Sequence, residues 1–331
     1  MDTARQLTHV ADTGLSFSRF LRIEAGETSL ERRGFIANSA EAKDRLEAVG
    51  AAFLAGYHAL IGPDPFTAYS RVLAGRPPDL QGFLAEGAAM GAALRDTLSF
   101  QPWRLARLRE VSGPRFDYLI HVGTGWAVAR LGWFRSRIWK NLDPLLIPLS
   151  VDGWGFHDIY FSRPGVLTGK RPRLPHGLDA AYDQGIGRGL WFASGGSTAA
   201  ASAIIETQAA GHRPDLVAGL SLAMAYCGPA QAADWRFLAE RFPAFRDHMA
   251  QGVAFAASAR TDDGSGSAEN LMIASGETCG AGTAALARTV TVTCPDRGTD
   301  RSLSEGWKDY QVWRARLRST FSIPHAQMED E

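Results

Sequence analysis

The sequence predicts a mainly α-helical protein that is internally duplicated, with two related halves packed together and a cleft between them. Apolar residues recur at helical spacing along most of the 331 residues, whereas strand-like alternation is scarce and clearest in TVTVTC, residues 289–294. The 45% hydrophobic and 21% charged residues place the chain among folded globular proteins. Basic and acidic residues balance at 35 each, so net charge predicts no nucleic-acid partner.

The duplication is indicated by segments that recur in the same order. GFLAEGAAMGAALRD (82–96) resembles DHMAQGVAFAASART (247–261), with Gly87 aligned to Gly252. Upstream, residues 52–63 resemble residues 218–229 at nearly the same offset. A Pro- and Gly-rich basic segment separates the two copies and is typical of a linker. The predicted organisation is an N-terminal extension over 1–30, a first helical half over 31–162, a linker over 163–178, a second helical half over 179–322 and an acidic tail over 323–331.

The first helix is predicted to begin at Asn38 or Ser39, whose side chains can cap a helix, and to stop at Gly62 and Pro63. Ala- and Gly-rich stretches are typical of helices whose backbones pack closely. Further helices are predicted over 66–74, 79–97, 103–111, 115–139, 197–209, 213–227, 231–240, 244–260 and 304–321.

Several function classes lack their signatures in this sequence. The three cysteines show no zinc-site spacing, and there is no Walker loop, G-x-S-x-G or H-E-x-x-H motif. Cys279 has no histidine nearby and is predicted to be a small buried residue. No cofactor or metal is predicted. The N-terminus lacks the pattern of a secretion signal and no apolar run reaches membrane-spanning length, so we expect a cytoplasmic protein without membrane insertion.

Two polar, aromatic segments flank the linker. DGWGFHDIYF (152–161) ends the first half and AAYDQGIGRGLWF (180–192) begins the second, so facing halves would bring them to one cleft. In the catalytic interpretation His157 acts as acid or base, oriented by Asp152, Asp158 or Asp183, and Arg188 holds a polar end of the substrate. The alternative is a buried polar network in which Arg188 pairs with an aspartate and joins the halves.

Aromatic residues concentrate in the central third of the chain. Most such rings belong to the core, but some could wall a pocket for a long apolar or conjugated ligand. The candidate substrate-binding residues are Trp126, Trp154, Phe156, Gln184, Arg188, Trp191 and His121.

Six ordered motifs carry a resemblance to a known family. They are FLAEGAAMGAAL, HVGTGWAVARL, DGWGFHDIYF, YDQGIGRGLWF, HMAQGVAFAA and YQVWRARLRSTF. Together, over about residues 30–321, the chain resembles a bacterial family of unknown function associated with enediyne polyketide biosynthesis. Its characteristic patches correspond here to Gly125 and Trp126, to the Asp152–His157 segment, and to the Asp183–Trp191 segment. The stretch from 270 to 294 departs from the family in lacking a His-Thr-Glu element.

The resemblance implies an accessory protein that acts after or beside an iterative polyketide synthase making a long polyene. The first hypothesis is an enzyme that tailors or cyclises a polyene-derived intermediate. The alternatives are a non-catalytic carrier of a hydrophobic ligand, an isoprenoid-like cyclase that handles a cation beneath aromatic rings, and an interaction scaffold. The expected partners are a hydrophobic or polyene small molecule and other enzymes of the pathway, and a homodimer is compatible with the sequence.

Overall fold

Helices form the regular structure of the protein in a computed structural model that describes residues 21–266, 269–297 and 301–322. The predicted mainly α class is confirmed, because these residues contain helices and turns and no β-strand. Most of the predicted N-terminal extension and all of the acidic tail lie outside the described residues. The helices are α1 (Ala40–Ile61), α2 (Pro65–Ala74), α3 (Pro78–Ser99), α4 (Arg104–Ser112), α5 (Asp117–Arg130), α6 (Arg135–Trp139), α7 (Ile147–Leu167), α8 (Asp179–Ala193), α9 (Thr198–Thr207), α10 (Arg213–Cys227), α11 (Ala232–Arg241), α12 (Arg246–Asp262), α13 (Glu269–Cys279), α14 (Thr283–Thr293) and α15 (Leu303–Ser319).

Helix α1 begins and ends as its sequence predicts. The Ser39 hydroxyl accepts a hydrogen bond from the backbone N–H of Ala42 at 3.0 Å and caps the first turn. The helix stops at Ile61, and Gly62 follows in an extended conformation.

Helices α7, α8 and α13 are not among the predicted helices, and three segments differ from the prediction in detail. The helix predicted over 115–139 is broken after Arg130 by a short 3₁₀ turn. The strand-like TVTVTC segment is helical to Thr293. Val290 enters the core, and the threonine hydroxyls are accommodated by bonding to carbonyl oxygens four residues back. Helix α7 continues into the predicted linker as far as Leu167, bending at Ser162 just before Pro164.

The long helices form a row that curls back on itself. Helices α1, α3, α5, α7, α8, α10 and α12 each pack against the next in that order. The row is closed where the start of α3 meets α10 and α12. There the Phe83 and Tyr226 ring centroids are 4.9 Å apart, and Arg260 donates to the Asp79 carbonyl oxygen at 2.8 Å. The curled row encloses the centre of the molecule.

The proposed repeats fall on two helix pairs within this row. Residues 82–96 lie in α3, which packs on α1, and residues 247–261 lie in α12, which packs on α10. The second repeated segment lies towards the C-terminal ends of α1 and α10. The duplication itself, and the division into halves, stay predictions.

Close approach of neighbouring helices depends on glycine at two positions beside the centre. A Cβ at Gly123 would overlap the Glu86 carbonyl oxygen, and a Cβ at Gly185 would overlap that of Asp152. Glycine therefore lets α5 lie against α3 and α8 lie against α7 at backbone contact distance. These contacts bring polar side chains one turn away within bonding reach of each other.

None of the helices in the described part of the chain combines the length and apolar character that crossing a bilayer requires.

Candidate functional site

The curled row of helices encloses a largely apolar cavity of about 770 Å³, part of it open to solvent. Its walls come from α1, α3, α5, α7, α8 and α10, and residues preceding α1 lie at its edge. The lining residues are Ile23, Glu27, Thr28, Val49, Gly50, Phe53, Leu54, Phe83, Glu86, Met90, Trp126, Arg130, Phe156, Tyr160, Phe161, Arg188, Phe192, Leu222, Ala223, Tyr226 and Cys227. We call it the large cavity.

Aromatic rings make up much of the wall of the large cavity. The ring centroid of Trp126 lies 4.5 Å from that of Phe53 and 5.1 Å from that of Phe156. Phe156 lies another 5.1 Å from Phe192. Rings at these separations form a continuous aromatic surface along one side of the cavity.

A second cavity of about 550 Å³ lies on the other side of the same helices. The two cavities share three lining residues, Arg188, Leu222 and Tyr226. The second cavity is further lined by Asp152 and Gln184, and α15 contributes Tyr310 and Trp313. Arg188 and its partners therefore lie between the two cavities.

Glu86 is a buried carboxyl group in the wall of the large cavity. Its side chain is 3% exposed, and the indole N–H of Trp126 donates to its Oε1 at 3.2 Å. The close contact at Gly123 explains this bond, because Trp126 follows Gly123 by one helical turn. The guanidinium of Arg188 lies 3.7 Å from Oε2, beyond hydrogen-bond distance.

Asp152 is held more tightly than Glu86. Arg188 forms a short ion pair with Oδ1 of Asp152, and Gln184 donates to Oδ2 at 2.8 Å. All three side chains are buried. The 152–161 and 180–192 segments contact each other at these residues. Gly185 allows this contact because it lets α8 approach the Asp152 backbone.

The buried polar network continues from Gln184 towards α12 and α15. Oε1 of Gln184 accepts from Gln251 at 3.1 Å and from Arg314 at 3.2 Å. Arg314 also donates to Asp215 at 2.6 Å. Arg318 donates to Gln251 at 2.6 Å. These bonds pair most polar groups at the end of the network that is remote from Glu86, although Nε of Arg314 has no hydrogen-bond partner among the described residues.

The charge states within this network follow from burial and partners. Burial opposes the positive charge of Arg188, but Asp152 and Glu86 overcome that effect and raise its pKa above the ordinary value. Burial raises the pKa of Glu86 to about 7, although Arg188 and the Trp126 N–H favour the carboxylate. Arg188 thus stays charged, and Glu86 titrates near neutrality.

His157 and Asp158 lie apart from this network. Nδ1 of His157 is 3.1 Å from Asp158, whose other oxygen accepts from the Tyr182 hydroxyl at 2.7 Å. Burial lowers the pKa of His157, with the hydrogen bond to Asp158 opposing the change. Neither residue lines the two cavities, although the His157 ring packs edge-to-face with Trp126, with centroids 5.7 Å apart.

Asp183 belongs to a third group of charges. It pairs with Arg171 and lies 2.7 Å from Nδ1 of His212. Burial raises the pKa of Asp183, and these two partners oppose the rise. The polar residues proposed around the two segments are therefore divided among three places: Asp152, Gln184 and Arg188 meet in one group, His157 and Asp158 in a second, and Asp183 lies in a third.

Some of the other predicted binding residues line a cavity and some do not. Trp126 and Phe156 line the large cavity, whereas His121, Trp154 and Trp191 are not among the residues that line either cavity. His121 accepts from the Asp143 N–H at 3.1 Å, and its other ring nitrogen is 2.7 Å from the Asp117 carbonyl oxygen. Both bonds hold the ring in place within the core. The Trp191 indole donates to the Gly228 carbonyl oxygen at 3.2 Å.

Glu86 and Tyr226 line the large cavity but are not predicted from the sequence as site residues. Glu86 lies in FLAEGAAMGAAL, where small residues draw attention to helix packing. The available signal is that Glu86 is the lone charged residue of that run, and a carboxyl on such an apolar helix must be buried with a partner. Tyr226 is the other. It donates to Asp263 at 3.0 Å from a segment predicted only as helix.

The fold and site define a helical protein with an aromatic cavity and a buried acid–cation network in its wall. The chain belongs to the family described as "Protein of unknown function (DUF1702)", which it matches over residues 15–321. No curated protein and no solved structure matches the chain.

Proposed function

We propose that the protein is a cytoplasmic participant in the biosynthesis of an enediyne-type polyketide, where it binds a polyene-derived intermediate in the large cavity and tailors or cyclises it. The observation that carries this proposal is an aromatic cavity with a buried carboxyl, Glu86, in its wall, whereas Glu27, the other carboxyl of the lining, pairs with Arg32 and Arg33. Most other wall residues are apolar. Such a site selects ligands by flat apolar surface and offers a proton-transfer group at one point.

The shape and chemistry of the large cavity support a small-molecule ligand. It is concave and lined mostly by apolar and aromatic side chains with a few polar groups, which is typical of small-molecule sites. A conjugated chain is flat and polarisable, and it can lie along the faces of Trp126, Phe156 and Phe53. The motif resemblance supports the same ligand class, because the motif segments supply Trp126, Phe156 and Arg188 to the wall.

The test is recovery of the ligand from cells. The protein is purified from a host that expresses an iterative polyketide synthase producing a polyene and from the same host without it. Both samples are extracted and compared by mass and absorbance. We expect a conjugated molecule, in about one copy per protein, from the first host alone.

A matched pair of variants ties the ligand to the cavity. Phe156→Leu removes a ring from the wall at similar volume, whereas Trp133→Leu changes a ring that is 99% exposed. The first variant should recover less ligand and the second should recover as much as wild type. Equal recovery from both variants would contradict the assigned cavity, and empty protein from both hosts would favour the scaffold interpretation.

A further inference from the structure

We propose that Glu86 is a catalytic residue that moves a hydrogen along a conjugated carbonyl compound held in the large cavity, and that Arg130 binds the carbonyl oxygen of that compound. This inference rests on the proposed function and deepens it by naming the reaction class and the polar end of the substrate. It also assigns to Glu86 the acid–base role that the sequence analysis gave to His157.

The first observation is an open bonding position on Glu86. Its Oε1 accepts from Trp126 at 3.2 Å, and Oε2 has no hydrogen-bond partner among the described residues. Glu86 lines the large cavity although it is 3% exposed. Arg188 faces Oε2 at 3.7 Å without a hydrogen bond, and a buried carboxyl oxygen that accepts no hydrogen bond is costly unless a ligand meets it. The same oxygen is the one that can exchange a proton with a bound molecule.

The second observation is a cation in the same wall. Arg130 lines the large cavity one helical turn after Trp126, on α5. Within the described residues its guanidinium lies 5.4 Å from the Phe161 ring centroid and makes no hydrogen bond or ion pair. A carbonyl oxygen placed there would receive hydrogen bonds from the guanidinium, and the attached conjugated chain would run along Trp126 towards Glu86.

The charges around Glu86 decide which form it takes. Arg188 faces it at 3.7 Å but is committed to Asp152 by a short ion pair. From α10, Tyr226 and Cys227 also line the cavity, and burial raises the pKa of both groups, so they are neutral near pH 7. With Asp152 balancing Arg188, Glu86 can hold or release a proton at neutral pH.

The reaction balances without a co-reactant. The Glu86 carboxylate removes a proton from a carbon conjugated with the carbonyl group, so that a C–H bond breaks and its electron pair enters the π system. Negative charge accumulates on the carbonyl oxygen beside Arg130. The new O–H bond of Glu86 then breaks, its proton bonds to another carbon of the chain, and the carbonyl group re-forms. The product is an isomer with displaced double bonds, and Glu86 is again a carboxylate.

The experiment uses a linear long-chain trienone as the probe, incubated with the full-length protein in D₂O. Deuterium at carbon is measured by mass spectrometry, and double-bond migration by ultraviolet absorbance. Wild-type protein should exchange the probe at least about 100-fold faster than Glu86→Gln, while the two proteins bind it with affinities within about threefold. Glu86→Asp, which keeps the carboxyl, should retain part of the exchange.

The pH profile separates a proton-transfer role from a structural one. The wild-type exchange rate should rise through the titration of Glu86 and level off above it, and the residual rate of Glu86→Gln should lack that step. If wild type binds the trienone but exchanges it no faster than Glu86→Gln, the inference is wrong and the proposed binding function survives. If wild type does not bind the trienone, both fail together.

Discussion

Replacing Glu86 by glutamine should change how the stability of the protein depends on pH. Glutamine resembles the protonated side chain in shape and can still accept from Trp126, but it never ionises. Burial raises the pKa of Glu86 from its ordinary value of 4.5 to about 7 in the folded protein. At 1.36 kcal/mol per pKa unit, ionising Glu86 in the folded state therefore costs about 3 kcal/mol of unfolding free energy above pH 7.

The sign of the effect follows from proton binding. Between pH 4.5 and 7 the folded state holds a proton on Glu86 that the unfolded state has released, so wild type loses stability as pH rises through this window. Above it the penalty is constant. Glu86→Gln should therefore be more stable than wild type by about 3 kcal/mol at about pH 8 and nearly equal to it at about pH 4.5.

Urea unfolding followed by far-ultraviolet circular dichroism measures this difference across the pH range. Other acids also titrate, such as Asp262, whose pKa is raised to about 6 by desolvation and by the neighbouring Asp263. They affect both proteins alike, so the difference between the two stability curves isolates Glu86. A difference that stays constant with pH, within about 0.5 kcal/mol, would refute the assignment of Glu86 as a buried group titrating near neutrality.

Three further predictions concern the network, the helix contacts and the thiols. Arg188→Met leaves Asp152 buried without its cation and should lower the urea-derived unfolding free energy by about 3–5 kcal/mol; a loss below about 1 kcal/mol would contradict the ion pair. Gly185→Ala should cost about 3 kcal/mol or more because its Cβ overlaps a backbone oxygen, whereas Gly276→Ala, with open space in α13, should gain up to about 1 kcal/mol; similar effects of the two would be inconsistent with the close contact. Burial raises the pKa of all three thiols to about 11. In the native protein near neutral pH, these thiols should therefore react with a disulfide reagent about 100-fold more slowly than free cysteine does. Rapid labelling would contradict the raised thiol pKa values.

The helices could be predicted from sequence because their signals are local. The Ser39 cap and Gly62 stop define α1 within one turn, and apolar spacing locates most other helices. The TVTVTC segment misleads because alternating Thr and Val satisfy a strand pattern, while the threonine hydroxyls can equally bond within a helix. Local propensity therefore does not distinguish strand from helix here. The burial of Val290 in the core favours the helix.

The candidate site was predictable only in part. Asp152 and Arg188 could be paired because their segments flank one linker and carry opposite charges. Their neighbours Asp158 and Asp183 point elsewhere, because successive helical positions lie on different faces, and sequence proximity does not show which face meets the cavity. Glu86 comes from a helix remote in sequence. Its approach to Trp126 depends on the glycine contact between α3 and α5, which becomes evident only in three dimensions.

The measurement that tests the central claim most directly is an equilibrium binding isotherm with retinol, a neutral conjugated probe, followed by energy transfer from tryptophan. Trp126 in the cavity wall supplies a donor next to the expected ligand. We predict saturable binding at one site, weakened about three- to tenfold by Phe156→Leu and unchanged by Trp133→Leu. Binding that does not saturate, or that responds equally to the two substitutions, would contradict the large cavity as a ligand site.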